Sequence, residues 1–193
     1  MRVYRQIKNK DNEVIYEIKN IRGDVLFSSK NMYYDLDNLD DLDLSGAVLE
    51  NLNMVGISCV GTNFYNAQLK GTDFYMAFAY DANFSLADLS ECDFRGALLK
   101  NVDFENARLV GANLSRNNMG GATRIQGANF FGADLKSVNF EGAEYDSKTV
   151  FPDGFDVAQQ KMERVEKDRK QDRQCAKLSW CQIGSESLPC SKS

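Results

Sequence analysis

The chain has 193 residues, 43% of them hydrophobic and 26% charged, with a net charge of −5; this is room for one domain, and the composition excludes wholesale disorder. No apolar run approaches the roughly 18 residues of a membrane-spanning helix. The chain has no histidine, so the commonest neutral metal ligand and proton shuttle is missing, and Cys59, Cys92, Cys175, Cys181 and Cys190 show no paired metal-ligand spacing.

Residues 1–30 come first in chain order. VYRQI and EVIYEIK read as two strands joined by KNKDN, with DVLFS as a candidate third. Together they are expected to form a β-hairpin cap over the open edge of the region 31–152, because a bare edge invites uncontrolled strand pairing. The early positive charge lacks the apolar segment and small-residue cleavage site of a signal peptide, so a cytoplasmic protein is expected. Arg22-Gly23-Asp24 reads as a turn rather than as an adhesion motif.

Residues 31–152 follow a period of five. Stepping from Leu39, the positions run Leu44, Leu49, Met54, Cys59, Phe64, Leu69, Phe74 and onward to Leu114 and Met119, then resume after one inserted residue at Ile125 and continue through Phe130, Leu135, Phe140, Tyr145 and Val150. All 23 are apolar. Two residues before each, 20 of 23 positions are small or apolar, and two residues after each, 14 of 23 are Gly or Asn, which tolerate sharp corners. A period of five matches neither the 3.6 of a helix nor the 2.0 of a flat strand. It matches a chain that turns a corner every five residues, points one large and one small side chain inward, and buries them by stacking coil on coil. The extra residue within RNNMGGATRIQG reads as a corner bulge that leaves the stack intact.

The segments ANLSR, ADLSE, CDFRG, ANFFG and ADLKS resemble the pentapeptide-repeat family, whose consensus is A(D/N)LXX. The resemblance implies an all-β fold, a right-handed quadrilateral β-helix with four pentapeptides per coil. Five to six coils would stack to about 27 Å.

At the other end, residues 153–180 are expected to form a turn and then an α-helix over VAQQKMERVEKDRKQDRQCAKL, with Asp156 as N-cap and with Phe151 and Phe155 plugging the core. Residues 181–193 are expected to be a disordered tail.

No P-loop, dinucleotide fingerprint or nucleophile elbow is present. Asp73, Asp88, Asp93, Asp103 and Asp134 all directly precede an apolar centre, where the repeat itself calls for Asp or Asn, so a structural role accounts for them. The expectation is a binding protein with no catalytic residue, metal or cofactor. Charge is unevenly spread: residues 31–150 hold 17 Asp and Glu against 8 Lys and Arg, a net of −9, while the flanks are weakly basic. Direct nucleic-acid binding is therefore not expected. The resemblance implies an acidic rod that mimics DNA and occupies the DNA channel of a type II topoisomerase, as members of the family do on DNA gyrase as dimers, so a protein partner and a homodimer are expected. The alternative is a structural or scaffold protein, such as an accessory or phage-encoded component. With twenty-residue coils, Val55, Val60, Tyr75, Phe78, Tyr80 and Leu98 project onto two adjacent faces as an apolar patch, the candidate interface.

Overall fold

The structure, a computed structural model, describes residues 5–8, 14–20, 22–29 and 38–166. From Asn38 onward, parallel bridges join residues one coil apart: Asn38 to Ser58, Asp43 to Asn63, Val48 to Gln68 and Asn53 to Asp73, and then the same series again from Ser58. Each coil therefore takes twenty residues, four pentapeptides, and the result is a β-helix. Successive coils place the pentapeptides in four rows. Row one holds residues 38–41, 57–61, 77–81, 97–101, 123–127 and 143–147; row two, 42–46, 62–66, 82–86, 102–106 and 128–132. Row three holds 47–51, 67–71, 87–91, 107–111 and 133–137; row four, 52–56, 72–76, 92–96, 112–116 and 138–142.

Three local devices make five residues turn one corner. The carbonyl of the apolar centre accepts from the N–H three residues on, as in Ala47 to Leu44 at 3.0 Å, closing a turn whose third residue has positive φ. Gly46 at 67° and Gly71 at 69° occupy such corners, as do Asn51, Asn66, Asn101 and Asn106. At Gly71 a Cβ would also lie 2.6 Å from Asn51 Oδ1, so a side chain there would displace the Asn51 amide of the coil before it. The Asp or Asn before the centre folds its Oδ1 onto the N–H two residues on. Asp73, Asp88, Asp93, Asp103 and Asp134 accept in this way from Tyr75, Ser90, Arg95, Glu105 and Lys136, which is why the repeat selects those side chains.

Inside, the centres form two phenylalanine columns. In one, Phe64, Phe84, Phe104, Phe130 and Phe151 stack at 4.8, 5.5, 4.9 and 5.7 Å; Phe74 and Phe94 stack at 4.9 Å in the other and meet the first edge-on. The smaller inward column is mostly alanine. Where it is polar, the hydroxyl finds a carbonyl of the coil before: Thr62 donates to Leu39 and Thr72 to Leu49. Cys92 donates likewise to Leu69. These inward hydroxyl and thiol groups are thus paired at no loss of packing.

The interruption after row four is larger than a one-residue bulge. Leu98 pairs with Arg124, twenty-six residues on rather than twenty, so residues 117–122 leave the coil as a six-residue loop. Met119, expected inward, is 74% exposed. Asn117 organises the loop, its Oδ1 accepting from Met119 and Gly121, and Thr123 resumes the inward column, donating to Phe94 O. A second shift of one residue comes after Tyr145: Asn129 pairs with Val150, Val150 is exposed, and Phe151 takes the inward place.

The N-terminal end includes the candidate third strand, and the C-terminal end departs from expectation. The N-terminal element is a three-stranded antiparallel sheet of β1 (Arg5–Lys8), β2 (Val14–Lys19) and β3 (Val25–Ser29), in the order β1-β2-β3. It joins the first coil where Asn20 bridges Ala47 and Val48 N–H donates to Lys19 O, with Ile18 buried in the core. At the other end residues 157–166 are not α-helical. Asp156 caps only a 3-10 turn, Val157–Gln160, after which β5 (Glu163–Arg164) pairs in parallel with β4 (Glu144–Tyr145). The coil thus runs past 152 to Val165, whose N–H donates to Tyr145 O. Backbone pairing to an existing ladder, together with Phe151 and Phe155 stacked at 5.0 Å, outweighs the helical preference of a short polar segment. The rest of the expected helix, the tail 181–193 and Cys175, Cys181 and Cys190 lie outside the described residues.

Candidate functional site

Since the inward columns are consumed by packing, chemistry or binding must use the outward ones. The inward thiols are poor nucleophiles. Burial pushes the Cys92 thiol up to about 12, and Cys59, wholly enclosed, is raised by burial and by nearby Asp40. Among the described residues no group of Asp, Glu and Cys is arranged to hold a metal ion.

The expected apolar patch is brought together on rows four and one. Phe78 bridges Ser58 and Leu98 directly. Gly61 N–H donates to Tyr80 O and Met76 N–H to Arg95 O, so Val60 stacks on Tyr80 and Lys100, and Val55 on Tyr75 and Arg95. Exposure is uneven. Val55 is 49% exposed, whereas Val60, Tyr75, Phe78, Tyr80 and Leu98 are half-buried. Tyr75 lies under the Arg95 guanidinium, 5.4 Å from the ring centroid, and Asp93 grips the same guanidinium through Nε and Nη2, which raises its pKa further. The bond from the N-terminal sheet to the coil is made at Ala47, where row two turns into row three, away from this patch.

Sequence reasoning missed other exposed apolar residues: Tyr65, Met76, Leu86, Met119 and Phe131. A signal existed for two of them. Met76 and Leu86 occupy corners with φ of 57° and 59°, where Gly or Asn is the economical choice.

Outward carboxylates are held in ladders. Asn63 Nδ2 donates to Asp43 Oδ1 at 2.9 Å, Asn83 Nδ2 to Asn63 Oδ1 at 3.1 Å, and Asn129 Nδ2 to Asp103 Oδ1 at 3.0 Å. Hydrogen bonds from Ser45 and Asn63 hold the Asp43 carboxyl below its ordinary pKa. For Asp88, burial acts upward, but the Ser90 hydroxyl and amide and the Arg108 guanidinium outweigh it and the pKa is lowered.

A model of pentapeptide repeats matches residues 43–75 and 80–116, in eight copies, over the same coils that the bridges mark out. Residues 43–116 are thus built of pentapeptide repeats. Pentapeptide-repeat proteins fold as right-handed β-helices. No curated protein matches the chain. Among solved structures, a pentapeptide-repeat protein from the cyanobacterium Cyanothece 51142 is 21% identical, over 60% of this chain and 91% of that one, with a TM-score of 0.33. HetL from Nostoc sp. strain PCC 7120, a pentapeptide-repeat protein involved in heterocyst differentiation regulation, is 24% identical over 68% of this chain, with a TM-score of 0.36; the match spans 62% of HetL. QnrB1, a plasmid-mediated fluoroquinolone resistance protein, is 19% identical over 72% of this chain and 87% of its own, with a TM-score of 0.34.

Proposed function

We propose that this pentapeptide-repeat chain is a non-enzymatic protein-interaction module, a four-sided acidic rod that occupies the positively charged DNA channel of a DNA-handling enzyme such as a type II topoisomerase. The observation that carries the reading is the concentration of charge on the coils, 17 Asp and Glu against 8 Lys and Arg over residues 31–150. Carboxylates repeated at the inter-coil spacing of about 4.8 Å form a regular polyanion on a stiff support, which a channel built for phosphates attracts over long range. The outward aspartates are tied to backbone amides, so they keep their positions and need no ordering on binding.

Supercoiling by DNA gyrase with the full chain added is the test. Inhibition at micromolar concentration, relieved by excess DNA, is the expected result. Unchanged supercoiling removes the topoisomerase reading and leaves a scaffold role, which the exposed Val55 and Met76 on row four favour.

A further inference from the structure

We propose that row two is the docking face of this rod, and that its occupant is a protein groove lined with lysine and arginine. The inference rests on the reading of the rod as a protein-binding polyanion and assigns that role to one side of it.

Charge is segregated among the rows. Row one carries Lys100 and Arg124, row three Lys70, Arg108 and Lys136, and row four Arg95 and Arg116, whereas the five pentapeptides of row two contain no Lys or Arg. Row two does carry Asp43, Asp103 and Glu105, and the corner column shared with row one adds Asp41 and Asp81. On the other rows several carboxylates are paired by cations of the rod itself: Lys70 with Glu91 at 3.1 Å, Arg108 with Asp88 at 3.3 Å, Arg95 with Asp93 at 2.6 Å and Arg124 with Glu144 at 3.6 Å. Among the described residues no ion pair uses a carboxylate of row two. The asparagines between them direct an N–H along the row onto Asp43 and Asp103, so what the row turns outward is rich in oxygen acceptors. Such a surface is complementary to guanidinium and ammonium groups.

The same row supplies apolar anchors. Tyr65 is 45% exposed, Leu86 46% and Phe131 53%. Leu86 stands at a left-handed corner between Asn66 and Asn106 in the coils before and after, with φ of 59°. A strained, exposed leucine where the repeat prefers asparagine adds nothing to the core, and such outliers mark contact sites. Carboxylates flanking an exposed aromatic and aliphatic centre match the anatomy of an interface, with apolar anchors and a polar rim.

Two variants of equal charge change separate this face from the general acidity of the rod. Asp103→Asn/Glu105→Lys alters row two and Asp134→Asn/Glu91→Lys alters row three; asparagine keeps the Oδ1 acceptor in each. The probes are DNA gyrase holoenzyme and, independently, a lysine-only peptide, with equal melting temperatures for the two variants as the check on folding. The row-two variant is expected to lose inhibition of gyrase and to bind the peptide about tenfold more weakly, while the row-three variant stays close to the parent. If gyrase ignores the parent protein, the topoisomerase reading fails and the peptide alone decides the face. Equal weakening by the two variants, or no binding of the peptide by the parent, overturns the inference. Should the row-two variant melt early, Glu105→Gln carries the same comparison against Glu91→Gln.

Discussion

Leu86 isolates a single-residue cost. Its φ of 59° places Cβ close to the following carbonyl, a conformation that costs an ordinary L-residue about 1–2 kcal/mol. Asn66 and Asn106 take the same conformation one coil to either side, and asparagine relieves much of the cost by hydrogen bonding locally. Part of the leucine side chain is covered, so some burial is lost on replacement. Leu86→Asn is therefore expected to raise stability by about 1 kcal/mol, seen as a higher urea midpoint at unchanged slope. A lower midpoint would show that Leu86 packs more strongly against its neighbours than its exposure implies. If row two docks as inferred, the same substitution weakens partner binding, so stability and binding move in opposite directions at this residue.

For the elements, the loop at 117–122 is the informative case. Removing these six residues joins Arg116 to Thr123 and restores the twenty-residue spacing between Leu98 and Arg124. Asn117 bonds the loop to itself through Met119 and Gly121, the Arg95 and Arg116 guanidinium groups donate to Asn118 Oδ1 and Gly120 O, and Thr123 already bonds Phe94 and Ser115 carbonyls in the coil. The deletion is expected to leave the β circular-dichroism spectrum and the melting temperature within a few degrees of the parent; a cooperative loss of structure would mean that the loop braces the corner. The inward columns made the fold legible, because the period of five runs unbroken from Leu39 to Leu114. The loop was not legible. An offset of one residue and an offset of six leave a five-residue period in the same phase, and Met119 is apolar enough to pass as a core residue. The final coil was hidden for a different reason. Val157–Arg164 has no five-residue pattern, and its place is set by backbone pairing of β5 to β4 and by the phenylalanines before it. The residues of the candidate patch lie on adjacent rows, but side-chain exposure depends on neighbours such as Arg95 over Tyr75, which a projection of columns does not contain.

At the scale of the whole molecule, the carboxylates that would attract a basic groove also repel one another along the rod. Asp73 and Asp93 stand directly opposite across adjacent coils, with Arg95 on Asp93, and row two has no cation of its own. Like charges at the spacing of adjacent strands oppose pairing, and a net of −9 over residues 31–150 adds a longer-range repulsion. Salt screens both. The Debye length falls from about 30 Å at 0.01 M to about 10 Å at 0.1 M, from longer than the stack of coils to about two inter-coil steps. Raising sodium chloride across this interval is expected to raise the melting temperature by about 2–4 °C, equivalent to about 1 kcal/mol for a chain of this size. Affinity for a lysine-only peptide should fall over the same interval, because there screening removes attraction. A melting temperature that drops with salt would mean that the ion pairs of rows three and four outweigh the repulsion. The carboxylates of row two would then be too dilute to govern either stability or binding, and row two would lose its claim to be the docking face.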